Sequence, residues 1–90
     1  MSSIEELRKE IETIDMEMIT LFEKRMSVSS KIAAYKRENN MPVLDKEREK
    51  ALIAKNVSNL SNKEFEEYYT EFFTGMLDVS KKYQHDILGD

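Results

Sequence analysis

Apolar side chains recur every three or four positions along the first part of this chain, from Ile4 to Tyr35. This spacing keeps them on one face of a helix and predicts a single long helix over residues of about 4 to 38. A capping box, Ser3-x-x-Glu6, precedes the helix, and Asn39, Asn40 and Pro42 end the pattern. We call the series the apolar seam; its members are Ile4, Leu7, Ile11, Ile14, Met18, Leu21, Val28, Ile32 and Tyr35.

The length of this helix predicts that the chain associates with a second copy of itself. At 1.5 Å per residue the helix is roughly 50 Å long, whereas a compact domain of this size has a radius of gyration of about 13 Å. The rest of the chain is therefore too small to cover the seam. The simplest cover is an identical chain, since most soluble oligomers are symmetric homo-oligomers.

Two further helices are predicted after the seam. Asp45 is a suitable N-cap for a short helix over about 46 to 57, and a second capping box, Ser61-x-x-Glu64, predicts the start of a third. We therefore expect an all-α fold with a long, a short and a long helix in one domain over residues 1–90. Together with the uncovered seam, this predicts an intertwined homodimeric bundle. The third helix carries an apolar stripe consisting of Phe65, Tyr69, Phe72, Met76, Val79, Tyr83 and Ile87.

Composition excludes several classes of function. Cysteine is absent and His85 is the only histidine, so we expect no disulfide, no thiolate chemistry and no metal site. The net charge is -4, and Lys and Arg alternate with Glu along the helices, so we expect no nucleic-acid partner. The N-terminal region lacks a continuous apolar run. We therefore expect neither a secretion signal nor a membrane span, and a cytoplasmic location.

Arg25 occupies a position in the seam where an apolar residue is expected. Burying an unpaired charge is costly, so Arg25 either forms a structural ion pair, extends out of a thin seam, or binds an anion inside the bundle. Lys36 lies 11 positions later on the same helical face, about 16 Å away. The two cations could bind opposite ends of one small anion, although Lys36 and Arg37 also suit a helix C-terminus without any ligand.

Other polar residues also allow both a structural and a functional interpretation. Arg8 lies beside the seam, about 100° around the helix from Arg25, and is either a surface residue or a residue that reaches a site from the other subunit. Arg48 and Glu49 lie in the first turn of the short helix capped by Asp45, where a glutamate suits the helix dipole. They either have only this structural role or line a site.

Ser80 and Gln84 lie four positions apart beside the stripe of the third helix. This spacing puts the hydroxyl and the amide on one face. They form either a structural hydrogen bond or part of a site.

Together, in their order along the chain, these residues resemble the all-helical (AroQ-class) chorismate mutases. The resemblance covers almost the whole chain, and the ordered set is much more specific than any single motif. The matching motifs are Ile4-x-x-Leu7-Arg8-x-x-Ile11-x-x-Ile14-Asp15, Leu21-Phe22-x-x-Arg25, Lys36, Pro42-Val43-Leu44-Asp45-x-x-Arg48-Glu49 and Ser80-x-x-x-Gln84.

The resemblance implies a reaction: the Claisen rearrangement of chorismate to prephenate in phenylalanine and tyrosine biosynthesis, with no cofactor. It implies that Arg25, with Arg8 of the other subunit, binds one substrate carboxylate, and that Arg48 belongs to the same group of cations. The remaining implied roles are Lys36 on a carboxylate and the ether oxygen, Gln84 on that same oxygen, Glu49 with the backbone around Asp45 on the ring hydroxyl, and Ser80 ordering a carboxylate.

Two other functions remain compatible with this sequence. An isochorismate-pyruvate lyase resembles the mutases in fold and cationic residues, but such lyases tend to lack the acidic residue that Glu49 supplies here. A non-catalytic helical dimerisation module would explain the seam and the caps. It would not explain Arg25 in the seam together with Lys36, Arg48 and Gln84.

Overall fold

A computed structural model describes residues 3–89 of the chain, so the span predicted for the domain, 1–90, extends beyond them at both ends. The described residues form helices and connecting segments, without a β-strand. The all-α class and the long, short, long order are confirmed. The elements are α1 (Ile4–Glu38), α2 (Lys46–Ser58), a single 3-10 turn (Lys63–Phe65) and α3 (Glu66–Leu88).

Helix α1 begins and ends where its sequence predicts. The Ser3 hydroxyl accepts a hydrogen bond from the backbone N–H of Glu6 at 3.1 Å, which satisfies one of the free donors of the first turn. At the other end Asn39 is the C-cap, and Asn40 adopts a left-handed conformation with φ of 55°. Asparagine tolerates that conformation better than most residues, so the chain can turn here toward α2.

Helix α2 confirms its predicted cap and extends one residue further than expected. The Asp45 carboxylate accepts from the backbone N–H of Arg48 at 3.0 Å. The helix ends at Ser58, where 57 was predicted.

The start of α3 differs from the predicted Ser61 capping box. Asn62, not Ser61, caps the chain there: its side chain accepts from the backbone N–H of Glu64 at 3.0 Å and opens the 3-10 turn. The α-helix itself begins only at Glu66, after Phe65. Serine and asparagine both accept hydrogen bonds from nearby backbone donors. The Glu64 N–H is bonded by the side chain two residues before it, Asn62, and not by Ser61, three residues before it.

The core lies where the second half of α1 and helix α2 pack against α3. Its buried apolar residues are Ala33, Val43, Phe73 and Leu77. Tyr69 stacks on Phe73 with ring centroids 5.6 Å apart, which extends this core along α3. Helix α2 contacts α3 and, within residues 3–89, does not pack on α1.

The first half of α1 extends away from this core. Every residue from 3 to 24 is exposed, including the seam residues Leu7, Ile11 and Ile14. The chain measures 56 × 24 × 16 Å along its principal axes, consistent with an uncovered helix arm. Across residues 3–89, no helix is both long and apolar enough to cross a membrane.

Candidate active site

A cavity of about 350 Å³ lies between the three helices. Its size is suitable for a small molecule. It contains seven of the eight residues singled out from the sequence, and the exception is Arg8. The lining residues are Arg25, Val28, Ser29, Ile32, Lys36, Val43, Asp45, Arg48, Glu49, Leu52, Leu77, Ser80, Lys81 and Gln84.

Helical spacing explains why these side chains converge. Between Arg25 and Lys36 on α1, each lining residue lies three or four positions from another lining residue, and the same holds on α3 between Leu77 and Gln84. Such steps place side chains on one face. The third wall consists of Asp45 and the start of α2, including Arg48 and Glu49. Asp45 is the N-cap of this helix and so determines where it begins.

Lys36 is held in place by two protein acceptors. Its ammonium donates to the backbone carbonyl of Val43 at 2.8 Å and to Oε1 of Gln84 at 3.3 Å. It thereby connects α1 to the loop before α2 and to α3. An ammonium has three N–H donors, so one remains for a ligand in the cavity.

Gln84 is 7% exposed and both ends of its amide are bonded. Its Oε1 accepts from Lys36, and its Nε2 donates to the Ser29 hydroxyl at 3.0 Å. The Ser29 hydroxyl also lies 2.7 Å from that of Ser80. The amide nitrogen carries two N–H groups, and Ser29 uses one of them. Ser80 and Gln84 are thus linked through the Ser29 hydroxyl, in place of the direct hydrogen bond that their spacing suggested.

Arg25 and Arg48 add two further cations to the wall. The Arg25 guanidinium lies over the Phe73 ring, 5.7 Å from its centroid, an arrangement that stabilises a cation beside an apolar core. No carboxylate within residues 3–89 is at ion-pairing distance from Arg25. A structural ion pair therefore does not account for Arg25, and its charge remains available to an anion.

Glu49 forms an ion pair with Lys81, a residue that the sequence did not single out. The Lys81 ammonium lies 3.0 Å from one carboxylate oxygen of Glu49 and 3.2 Å from the other. The hydrogen bond from Lys81 to Glu49 raises the pKa of Lys81 and Asp78 adds to this, while desolvation opposes it. On the alkaline side, the contribution of this pair to stability is therefore lost as the pH rises through the raised pKa of Lys81.

Arg8 lies outside this cavity, on the exposed arm of α1. It is 17 residues before Arg25, which is about 25 Å along the helix. That distance is far beyond the reach of an arginine side chain, so Arg8 cannot serve the cavity of its own chain in this conformation.

Ser29 and Lys81 are the lining polar residues that sequence reasoning missed. A signal existed for each: Ser29 is one turn after Arg25 on the same face, and Lys81 is one position after Ser80 and three before Gln84. Serine and lysine are so common on helix surfaces that neither signal was distinctive.

The charges of the cavity define the kind of ligand it favours. Four cationic and two acidic side chains line it, which leaves two net positive charges in a chain whose overall charge is -4. Within the described part of the chain, no group of three or more His, Cys, Asp or Glu residues is arranged to hold a metal ion. Fold and site together define an all-helical protein with a small cavity whose lining carries net positive charge.

Comparison with known proteins identifies the family. Residues 7–85, most of the chain, match the family described as chorismate mutase type II. The chain belongs to this family, and the resemblance inferred from its motifs is confirmed.

One curated relative is the T-protein of Haemophilus influenzae. It is 36% identical over 53 residues, which cover 59% of this chain and 14% of the relative. The chain thus matches only a small part of that protein's length. No solved structure gives a significant match to the chain.

Proposed function

We propose that this chain catalyses the rearrangement of chorismate to prephenate in the cavity between its helices, with residues 1–90 acting as a single domain. The observation that carries the proposal is the meeting of Arg25, Lys36, Arg48 and Gln84 around one cavity with two net positive charges. Chorismate carries two carboxylates, which the net positive charge of the cavity attracts. Guanidinium groups are well suited to carboxylates because they bind them with two parallel hydrogen bonds.

The reaction itself requires little of the protein beyond binding and charge stabilisation. One ether C–O bond breaks and one C–C bond forms within the same molecule, so no nucleophile, general base or cofactor takes part. The protein has to select the compact conformer and stabilise the negative charge that grows on the ether oxygen. Lys36 and Gln84 each retain an N–H donor for that oxygen, and they already contact each other at 3.3 Å.

The other lining residues bind the rest of the substrate in this proposal. Arg25 and Arg48 bind carboxylate, and the Ser80 hydroxyl orders a carboxylate. The ring hydroxyl is bound by Glu49 and by the backbone around Asp45, where helix α2 begins.

A spectrophotometric assay tests this function directly. Purified protein should deplete chorismate, and mass spectrometry should identify prephenate as the product. Isochorismate is tested in parallel, and pyruvate release from it without turnover of chorismate would identify a lyase instead. Turnover of neither compound would leave a binding module and reject the proposed enzyme.

We further propose that the functional unit is a homodimer in which Arg8 of one chain completes the site of the other. The support is the uncovered arm of α1: seam residues Ile4, Ile11 and Leu21 are all more than half exposed, at 61%, 60% and 63%. Exposed apolar surface of this extent is typical of an interaction site. Arg8 lies on that same arm, where a partner's cavity can come within its reach.

Sedimentation equilibrium at micromolar concentration should give twice the chain mass of 10.6 kDa. The variant Ile11→Glu should shift the protein toward monomer, because an unpaired charge is costly to bury. Lys9→Glu is the matched control: it introduces the same side chain two residues earlier, about 200° around the helix. A folded wild-type monomer, or equal effects of the two variants, would refute the predicted interface.

A further inference from the structure

Lys81 is the cation of the cavity to which neither the motifs nor the proposed reaction assigns a task. We propose that Lys81 is a positioning residue: it holds the Glu49 carboxylate in one orientation at the cavity wall, ready to accept a hydrogen bond from the substrate hydroxyl. This inference rests on the proposed function, because it concerns how the same cavity recognises its substrate.

The geometry of the pair fits a positioning task. The Lys81 ammonium contacts both oxygens of Glu49, at 3.0 and 3.2 Å. The contact connects the first turn of α2 with α3 at the edge of the cavity, where the side chains are 27% and 25% exposed. A carboxylate offers about four lone-pair sites on its two oxygens. One ammonium fixes the group and leaves acceptor capacity for a hydroxyl.

Lys81 is poorly placed to bind the substrate carboxylates itself. Asp78 lies 3.4 Å from the same ammonium, one helical turn back, so two carboxylates share this one cation. Its charge is already matched by the protein. Arg25, by contrast, has no carboxylate at ion-pairing distance within residues 3–89. The anionic ends of a ligand are therefore attracted to Arg25 rather than to Lys81.

Glu49 needs such support because little else fixes it. Its side chain has three rotatable bonds, and an unpaired glutamate would sample several rotamers. Its helix packs on α3 but, within the described residues, not on α1. The Lys81 contact thus sets both the rotamer of Glu49 and its distance from the α3 residues that line the cavity. A small misplacement of a group that orients a substrate has large kinetic effects.

The test is a double-mutant cycle in the chorismate assay. Lys81→Met removes the ammonium and keeps most of the apolar stem, and it should raise KM about tenfold, because it weakens substrate binding rather than the chemical step. In a Glu49→Gln background the same substitution should change KM by less than about twofold, since the residue it positions is already altered. Lys81→Arg should restore most of the lost affinity.

Lys82→Met is the matched control, because Lys82 is the exposed neighbour of Lys81 on the same helix. This variant should leave kcat and KM unchanged. A merely structural role would lower the active fraction, and with it the apparent kcat, at constant KM. The inference is overturned if Lys81→Met changes KM equally in the two backgrounds, or no more than Lys82→Met does. The proposed function still stands in that case, provided that the wild-type protein is active. If wild-type protein binds chorismate without converting it, the proposed function fails alone, and the same cycle is measured as Kd by calorimetry. If the wild-type protein neither binds nor converts chorismate, both the inference and the proposed function are overturned.

Discussion

Replacing Lys36 with alanine is expected to lower kcat about 100-fold or more, with a smaller change in KM. On the ether oxygen Lys36 stabilises charge that develops in the transition state, so its loss affects the chemical step most, and the carboxylate contact implied for it accounts for the smaller change in KM. Gln84→Ala should act in the same direction, because Gln84 contacts Lys36 at 3.3 Å and serves the same oxygen in the proposed mechanism. Steady-state kinetics on chorismate measure both constants.

The structural contribution of Lys36 can be separated from this effect. The bond to the Val43 carbonyl also stabilises the loop before α2, and one such hydrogen bond contributes about 0.5 to 1.5 kcal/mol to stability. A 100-fold loss of kcat corresponds to about 2.7 kcal/mol in the transition state. Circular dichroism melts report the first effect, and Lys31→Ala, an exposed lysine on the same helix, controls for surface charge. Unchanged kcat and kcat/KM in Gln84→Ala would remove Gln84 from the mechanism.

Mixing two inactive variants is expected to restore about a quarter of wild-type activity. Arg8→Ala and Lys36→Ala are prepared as separate homodimers, then unfolded and refolded together. If Arg8 serves the partner's site, one site of each mixed dimer collects both substitutions and the other has neither. Random pairing makes about half the dimers mixed, and half of their sites are intact.

A second mixture supplies the negative control. Lys36 and Gln84 line the same cavity of one chain, so every site in a mixed dimer of Lys36→Ala and Gln84→Ala carries one substitution and no intact site forms. Native mass spectrometry verifies that mixed dimers are present in both mixtures. Activity near zero in the Arg8 mixture, with mixed dimers present, would rule out the crossing of Arg8 and leave the proposed reaction untouched.

The helices were predictable because their signals are local. The seam from Ile4 to Tyr35 fixed the extent of α1, and the Asp45 cap fixed the start of α2. The start of the third helical segment was harder to predict, since Ser61 and Asn62 are adjacent residues of types that both cap helices well. The choice between them depends on the loop geometry, which residue types alone do not specify.

The site was predictable only where its residues break a pattern or match a motif. Arg25 is conspicuous because it interrupts an apolar seam, whereas Lys81 is one of many lysines on a helix surface. Lys81 is distinguished by its contact with Glu49, which lies on another helix and 32 positions earlier in the sequence. The same holds for Ser29, whose partners Ser80 and Gln84 are more than 50 positions away. Contacts between helices depend on packing, and spacing along one helix does not reveal them.

The two bonds of Lys36 also bear on affinity. A free lysine side chain loses about 1.5 to 2 kcal/mol of conformational freedom when it is fixed. Lys36 is already held by Val43 and Gln84 in the protein without ligand, so this entropy is lost during folding and not during binding. Whatever anion occupies the cavity meets an ammonium that is already oriented, and more of the contact energy remains as binding free energy.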